Sequence, residues 1–437
     1  MEPLFLAIMC GCKAGLFREA LHEVYVPRIQ RGDASFAANV LGARGPLLSA
    51  LAHFFEHGRW GSPVKMGIEG QSLAAEDQLF ILMQAGLYLT ATRGLGAPEA
   101  LICYERAESL CDSLNRPLLL YFALVAQWRY SLMTDKLSAT MQVAKRVYSL
   151  AQEQNDPALL IGGYRALAGT LYFLGDFESA RQYAACGLQI WRSEKLKSHA
   201  QDLLAPVFGC LYFEGLSEWH LGEIDYCQAP IAEAISLAKE LNDMNALAMA
   251  LNLAAFLAHY KRNPIEVEHL ASDLIELSTR HSFAFFLAGG KVLRGWTRSL
   301  SGDAAEGLAW INDGIDEWRA TGRMVALPYY LALKAEALYV AHRTSEALDA
   351  ISEAEAMVKR SEDRHWCPEL HRLRSVFLAA MGADETQIEA SFREAIKTAR
   401  EQKSVSLEKR AQATYTEYRR QKASAAAGRG FRLLVIS

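Results

Sequence analysis

Several features that mark membrane, secreted and nucleic-acid-binding proteins are scarce in this sequence of 437 residues. It has only 12 prolines, and no stretch approaches the ~18 uninterrupted apolar residues that a membrane-spanning helix requires. The formal net charge is −4, whereas proteins that bind DNA or RNA typically carry an excess of basic residues. We therefore expect a helix-rich chain with no membrane segment and no direct contact with nucleic acid.

Cysteine usage and the first residues indicate the compartment. The eight cysteines are scattered, mostly within apolar stretches, which is typical of buried thiols rather than of a disulfide framework. The apolar start carries Glu2 where a signal peptide needs positive charge, and no clear small-residue cleavage site follows. These features favour a cytoplasmic protein, and we expect it to need no cofactor.

What the sequence does contain is a repeat. Turn signals between helix-like segments recur about every 40 residues, with one interval of 47. They fall at Gly96, Asp135, Gly175, Gly222, Asn263, Gly302, His342 and Gly382. A fixed period of this size in a helical pattern indicates a solenoid, in which each hairpin buries its apolar face against its neighbours. The long concave surface of such a stack favours binding over catalysis.

The clearest unit surrounds Gly175. Small residues at Ala168, Ala180 and Gly187 let two antiparallel helices approach closely, and Gly175 supplies the permissive backbone that reverses the chain. This pattern is typical of a tetratricopeptide-type hairpin, whose standard length is about 34 residues. A longer period predicts helices extended by roughly one and a half turns in total. The predicted fold is all-α, an α-α superhelix of tetratricopeptide-like antiparallel hairpins.

The pattern also predicts a domain division. Residues 1–72 read as an irregular helical segment that ends in the Gly/Pro-rich connection GRWGSPVKMGIEG, residues 73–418 as the repeat solenoid, and residues 419–437 as a frayed or disordered tail. Within the long interval, Pro206 should stop or reset a helix. Neither end shows a convincing polar capping helix, so we expect a piece of something longer.

One stretch matches a catalytic spacing. His53, Glu56 and His57 have the H-x-x-E-H spacing of inverted zinc peptidases, in which two histidines on one helical face hold the metal. Here the pentapeptide should simply close an amphipathic helix before Gly58, where histidine suits the helix dipole. We expect no metal site and no catalytic residues. A zinc hydrolase is a third hypothesis, which metal analysis of the purified protein would test.

A second pattern predicts a binding groove. In tetratricopeptide hairpins, first-helix positions that face the concave side lie ten, six and three residues before the turn. These positions hold Arg129, Arg165, Tyr172, Tyr212, Trp219, Tyr260, Trp296, Glu336, Tyr339 and Arg372. Aromatic and arginine side chains are enriched at interaction hot spots. The alternative is that the tyrosines and tryptophans pack adjacent first helices together.

Phrases in the second half resemble a specific family. VLRGWTRSLSGDAAEGLAWINDGIDEWRATG, LPYYLALKAEAL, ELHRLRSVFLAA and FREAIKTAREQKSVSLEKRAQATY are similar to the carboxy-terminal tetratricopeptide-type arm of large bacterial signalling ATPases, with residues 294–322 the most specific part. In those proteins the arm often accompanies adenylate/guanylate cyclase, winged-helix or kinase domains. The resemblance implies a sensor or scaffold arm. More distantly, the chain resembles the repeat arm of maltotriose-sensing transcription activators, whose concave face binds a sugar.

Two functional hypotheses follow. The first is a non-catalytic module of a bacterial signal-transduction system, whose concave face binds a protein or peptide partner such as a signalling ATPase, cyclase or regulator. The second is a small-molecule-sensing arm, either alone or as a fragment of a larger signalling ATPase, cyclase or transcription regulator. A peptide groove should spread affinity over several repeats, whereas a small-ligand pocket should concentrate it in two or three.

Overall fold

The structure is a computed structural model, and the described residues are 2–32, 36–39, 41–64, 67–68, 72–134, 136–193 and 200–425. They form helices and connecting turns, with an isolated β-bridge between Phe55 and Pro63. The all-α prediction is confirmed. Among these residues, none of the helices combines the length and apolar character needed to cross a bilayer. The chain divides into two compact units, residues 1–133 and 134–437.

The first unit begins with short helices and continues with longer ones. Its helices are α1 (Glu2–Lys13), α2 (Phe17–Glu19), which continues as a π-helix (Ala20–Gln30), α3 (Phe36–Asn39), α4 (Arg44–Ala52), α5 (Ala75–Arg93), α6 (Pro98–Leu114) and α7 (Pro117–Thr134), which ends at the division. Helix α4 packs on α5. The predicted boundary near residue 72 therefore falls inside one compact unit, and the three-part domain division stays a prediction.

The helix expected to carry the His53, Glu56 and His57 motif ends earlier than predicted. Helix α4 stops at Ala52, and Glu56–Gly58 forms a short 3-10 turn in which His57 has a φ of 52°. The two histidines therefore do not share a helical face, which the zinc-peptidase arrangement requires. Within the described ranges, no group of three or more His, Cys, Asp or Glu side chains could hold a metal ion.

The second unit is a regular series of antiparallel helices. They are α8 (Leu137–Gln154), α9 (Pro157–Leu174), α10 (Phe177–Ser193), α11 (Ala200–Leu221), α12 (Ala229–Glu240), α13 (Met244–Tyr260), α14 (Pro264–His281), α15 (Ala284–Leu300), α16 (Ala304–Ala320), α17 (Leu327–Val340), α18 (Thr344–Ser361), α19 (Cys367–Ala380), α20 (Glu385–Glu401) and α21 (Val405–Ala425). Each helix packs against the next, and the odd-numbered helices α9 to α21 also pack against one another as an inner layer.

The predicted turns lie where the period placed them. Seven of the eight landmarks fall between the two helices of a hairpin, and Asp135 lies outside the described residues. Helices such as α9, α10, α13 and α14 have 17 or 18 residues, which accounts for the long period. One expectation was wrong: α11 runs for 22 residues straight through Pro206. A proline inside a helix removes one backbone hydrogen bond and can kink the helix without ending it.

The hairpin of α15 and α16 shows how glycine sets the helix spacing. A Cβ added at Gly295 would lie 2.5 Å from the Gly307 carbonyl oxygen, and one at Gly314 would lie 2.7 Å from the Ala288 carbonyl oxygen. Real Cβ atoms do not approach backbone that closely, so these helices touch through their main chains. Glycine here therefore permits a contact that any side chain would push apart.

We predict that Gly295→Ala lowers the free energy of unfolding by about 1–3 kcal/mol, as overpacking does in a tight core. This loss should exceed the helix-propensity gain of ~1 kcal/mol that alanine brings. Urea denaturation followed by circular dichroism measures it. The control is Asn312→Ala at an exposed position of α16, which we expect to leave stability within about 0.5 kcal/mol. A Gly295→Ala variant as stable as the control would contradict the close contact.

Candidate functional site

The structure places the ten predicted groove residues in two environments. Arg165, Tyr212 and Tyr339 are partly exposed, and Arg129, which belongs to the first unit, is exposed. The other six are buried in the second unit: Tyr172, Trp219, Tyr260, Trp296, Glu336 and Arg372. In this conformation those six side chains pack among other side chains of the protein. The prediction that the ten residues contact a ligand therefore applies chiefly to the four that are exposed or partly exposed.

The buried aromatic residues pack together where helix ends of the inner layer meet. The hydroxyls of Tyr172 and Tyr260 are 2.9 Å apart and share a hydrogen bond. The Tyr260 ring stacks on Trp366, with centroids 4.5 Å apart, and lies 4.8 Å from Trp219. The ring of His220 stacks on Phe177 at 3.7 Å. We call Tyr172, Trp219, His220, Tyr260 and Trp366 the aromatic interior.

A charged network lies beside the aromatic interior. The carboxylate of Glu336 accepts hydrogen bonds from Arg262 Nη1 at 2.7 and 2.9 Å and from the Trp296 indole at 2.9 Å. Glu369 accepts from Arg262 and twice from Arg372, the latter at 2.8 and 2.9 Å. These side chains are all less than a tenth exposed. Burial would raise the pKa of Glu369, but the guanidiniums of Arg372, Arg410 and Arg262 hold it well below its ordinary value.

Arg410 joins this network from α21. Its Nη1 lies 3.6 Å from Glu369 Oε1, its guanidinium lies 5.3 Å from the ring centre of Trp219, and it donates to the Tyr260 carbonyl. Burial lowers the pKa of Arg410 to about 10, with Glu369 opposing that shift and Arg262 and Arg372 adding to it. The network therefore contains three guanidiniums and two carboxylates.

An open pocket of about 570 Å³ lies between α10 and α11. It is lined by Glu178, Arg181, Gln182, Ala185, Cys186, Gln189, Glu214 and Glu218. The helix that follows α11 is short, because α12 has only 12 residues. It begins seven residues after the turn residue Gly222, whereas in the following hairpins the second helix begins one to three residues after the corresponding turn residue. The short α12 gives α11 less cover than other first helices receive.

The chemistry of this pocket comes from two glutamates one helical turn apart. The pKa of Glu218 is raised to about 7, chiefly by burial, with Glu214 and Glu223 adding to the shift and Arg181 opposing it. Burial also raises the pKa of Glu214. The Oε2 atom of Glu218 is buried and accepts no hydrogen bond from the described residues. A pair of carboxylates with an unused acceptor can bind a cationic group, because a positive charge offsets both the cost of burying the ionised carboxylates and the repulsion between them.

The spacing rule missed most of these residues. Glu214 and Glu218 lie eight and four residues before Gly222, on a helical face that the positions ten, six and three do not sample. Arg262 pairs with partners 74 and 107 residues away, and Arg410 bonds to a residue 150 positions away. Contacts of that separation leave no local signal. A pair of glutamates at i and i+4 in an otherwise apolar helix was the signal that could have identified the pocket.

Comparison with known sequences gives one distant relative. No protein-family model matches the chain. An uncharacterized protein of Rhizobium meliloti strain 1021 is 22% identical over 346 residues, which cover 78% of this chain and 33% of that protein. The chain therefore spans about a third of the length of the curated relative that it matches.

Solved structures share the helical repeat architecture. A Rap protein complexed with competence and sporulation factor aligns with a TM-score of 0.52 at 12% identity, over 82% of this chain and 100% of that one. A signal-transduction ATPase with a tetratricopeptide repeat sensor from Pyrococcus horikoshii aligns with a TM-score of 0.40 at 9% identity, over 80% of this chain and 57% of that one. At these identities the first likeness supports the tetratricopeptide-like fold, and the second is too remote to add to it.

We predict that Glu336→Gln costs about 3–5 kcal/mol of unfolding free energy, because it leaves buried guanidiniums facing a single carboxylate. Chemical denaturation followed by tryptophan fluorescence measures the loss. The matched control is Glu346→Gln, which breaks an arginine pair with Arg343 on the surface and should leave stability nearly unchanged. Similar losses in both variants would show that burial does not set the strength of the Glu336 pair.

Proposed function

We propose that this chain is a non-catalytic binding module of a bacterial signal-transduction system and that it recognises a protein or peptide partner. The tetratricopeptide-like fold supports the proposal, since stacked hairpins offer extended surfaces with little room for a buried reaction centre. The Rap protein that shares this architecture was crystallised with competence and sporulation factor bound. That example supports a binding role for the fold.

The observation that carries the proposal is the α10–α11 pocket. Its two glutamates have raised pKa values, and the buried Oε2 of Glu218 has acceptor capacity to spare. A lysine or arginine side chain of a partner would insert its charged group between the carboxylates and donate to that oxygen. The partly exposed groove candidates Arg165, Tyr212 and Tyr339 are proposed as additional contacts along the first helices of the second unit, and Arg129 stays a separate candidate in the first unit.

We predict that Glu218→Gln weakens partner binding at least about tenfold and removes most of its pH dependence. Only ionised Glu218 attracts a cation, and its pKa of about 7 means that ionisation is lost as the pH falls. Binding by the unaltered protein should therefore weaken between about pH 8 and about pH 6. The measurement is fluorescence anisotropy with a labelled peptide library that carries a fixed central arginine.

The control for this measurement is Glu346→Gln, which removes one carboxylate from an exposed part of α18. It should reproduce the affinity and the pH profile of the unaltered protein. A library with norleucine in place of arginine should not bind. Equal binding of both libraries, or a Glu218→Gln variant with an unchanged pH profile, would refute the pocket as a cation site.

A second candidate is a small-molecule sensor, either alone or as the arm of a larger signalling protein. The observation that favours it is the confinement of the pocket to two helices, which suits a small amine or guanidine better than an extended peptide. Calorimetric titration with simple amines separates the two candidates. A small amine that binds as tightly as the arginine peptides would favour the sensor.

A further inference from the structure

Helix α21 lies on two of the residues that the sequence assigned to the binding groove. Ser406 Oγ donates to the Trp219 carbonyl at 2.5 Å, and Arg410 contacts both the Trp219 ring and the Tyr260 carbonyl. Directly before the helix, Ser404 Oγ lies 2.9 Å from His220 Nδ1. Helix α21 therefore lies against the ends of α11 and α13 and covers part of the aromatic interior.

The apolar hold on α21 is small. Over residues 405–423 only Leu407, Ala411, Thr414 and Tyr418 are buried, which form one narrow stripe at heptad-like spacing. Helix α17 is a third shorter, yet it buries eleven residues. Since the hydrophobic contribution scales with the apolar area removed from water, the burial of apolar side chains stabilises α21 less than it stabilises α17.

The charge that α21 buries is not fully compensated. Glu369 already accepts hydrogen bonds from Arg262 and Arg372, and Arg410 Nη1, at 3.6 Å, has no hydrogen-bond partner in the described part of the chain. Asp363, another buried carboxylate of this region, is bonded to His365 and to the Ala326 amide. Burying a guanidinium that lacks a carboxylate of its own opposes the docking of the helix that carries it.

We infer that α21 is a releasable helix, which covers Trp219 and Tyr260 when docked and exposes them when it leaves. The weak apolar stripe and the surplus arginine both reduce the free energy that docking gains. The docked state of α21 is therefore only slightly more stable than the released state. In the docked state α21 itself occupies this part of the aromatic interior, so its release would change the exposure of Trp219 and Tyr260 without any change elsewhere in the fold.

The test measures the release of α21 directly in the full chain. Hydrogen exchange with mass spectrometry compares α21 with α20, the preceding helix, which serves as the internal reference. In the unaltered protein α21 should exchange faster than α20. Arg410→Met removes the surplus charge and keeps an apolar stem, so the exchange of α21 should slow at least about fivefold. The matched control is Lys409→Met, an exposed lysine of the same helix, which should change nothing.

A second variant tests the opposite direction. Leu407→Ala weakens the apolar stripe, so α21 should exchange at least about fivefold faster while α20 keeps its rate. Hydroxyl-radical footprinting should show Trp219 oxidised faster in this variant, with the buried Trp128 of the first unit unchanged as a reference. Faster exchange in Arg410→Met, an unchanged rate in both variants, or equal acceleration of α20 and α21 in Leu407→Ala would each overturn the inference.

Discussion

The interior of the second unit depends on the carboxylate of Glu369. It accepts hydrogen bonds from Arg262 in the turn after α13 and from Arg372 in its own helix, and it lies within 3.6 Å of Arg410 in α21. A solenoid normally holds together through neighbouring repeats alone. Here a single buried acid links α19 to the turn after α13, 107 residues earlier, so these two parts of the solenoid are fixed against each other.

This linkage bears on the burial of six of the ten predicted groove residues. Aromatic side chains at the inner positions of first helices can line a groove or can pack against each other, and spacing does not distinguish these outcomes. Glu369 and Glu336 draw together arginines from α19, α21 and the turn after α13. Trp219, Tyr260 and Trp296 lie beside that network and are buried. The alternative reading of the aromatic residues, as packing between first helices, describes these three side chains in the docked conformation.

The sequence was sufficient to predict the repeat but not the contacts between helices that are distant in the sequence. Turns such as Gly175 and Gly382 could be placed because a local reversal between two amphipathic helices leaves a local signal. The α11 helix was misjudged at Pro206, because an interior proline can weaken or kink a helix without ending it. The pairing of Arg262 with Glu336 and Glu369 depends on the curvature of the helical stack in the second unit, to which every hairpin between these residues contributes. No single motif encodes that sum.

Helix α11 joins the pocket and the docked α21. One face of it carries Glu214 and Glu218 toward α10, and its end carries Trp219 and His220 toward α21. Glu178 adds a second link, because it lines the pocket and pairs with Lys403 just before α21. That surface pair is worth little by itself, but a cation bound in the pocket would compete with Lys403 for the same carboxylate. Occupancy of the pocket and docking of α21 should therefore oppose each other, and by linkage the release of α21 should favour the bound cation to the same extent.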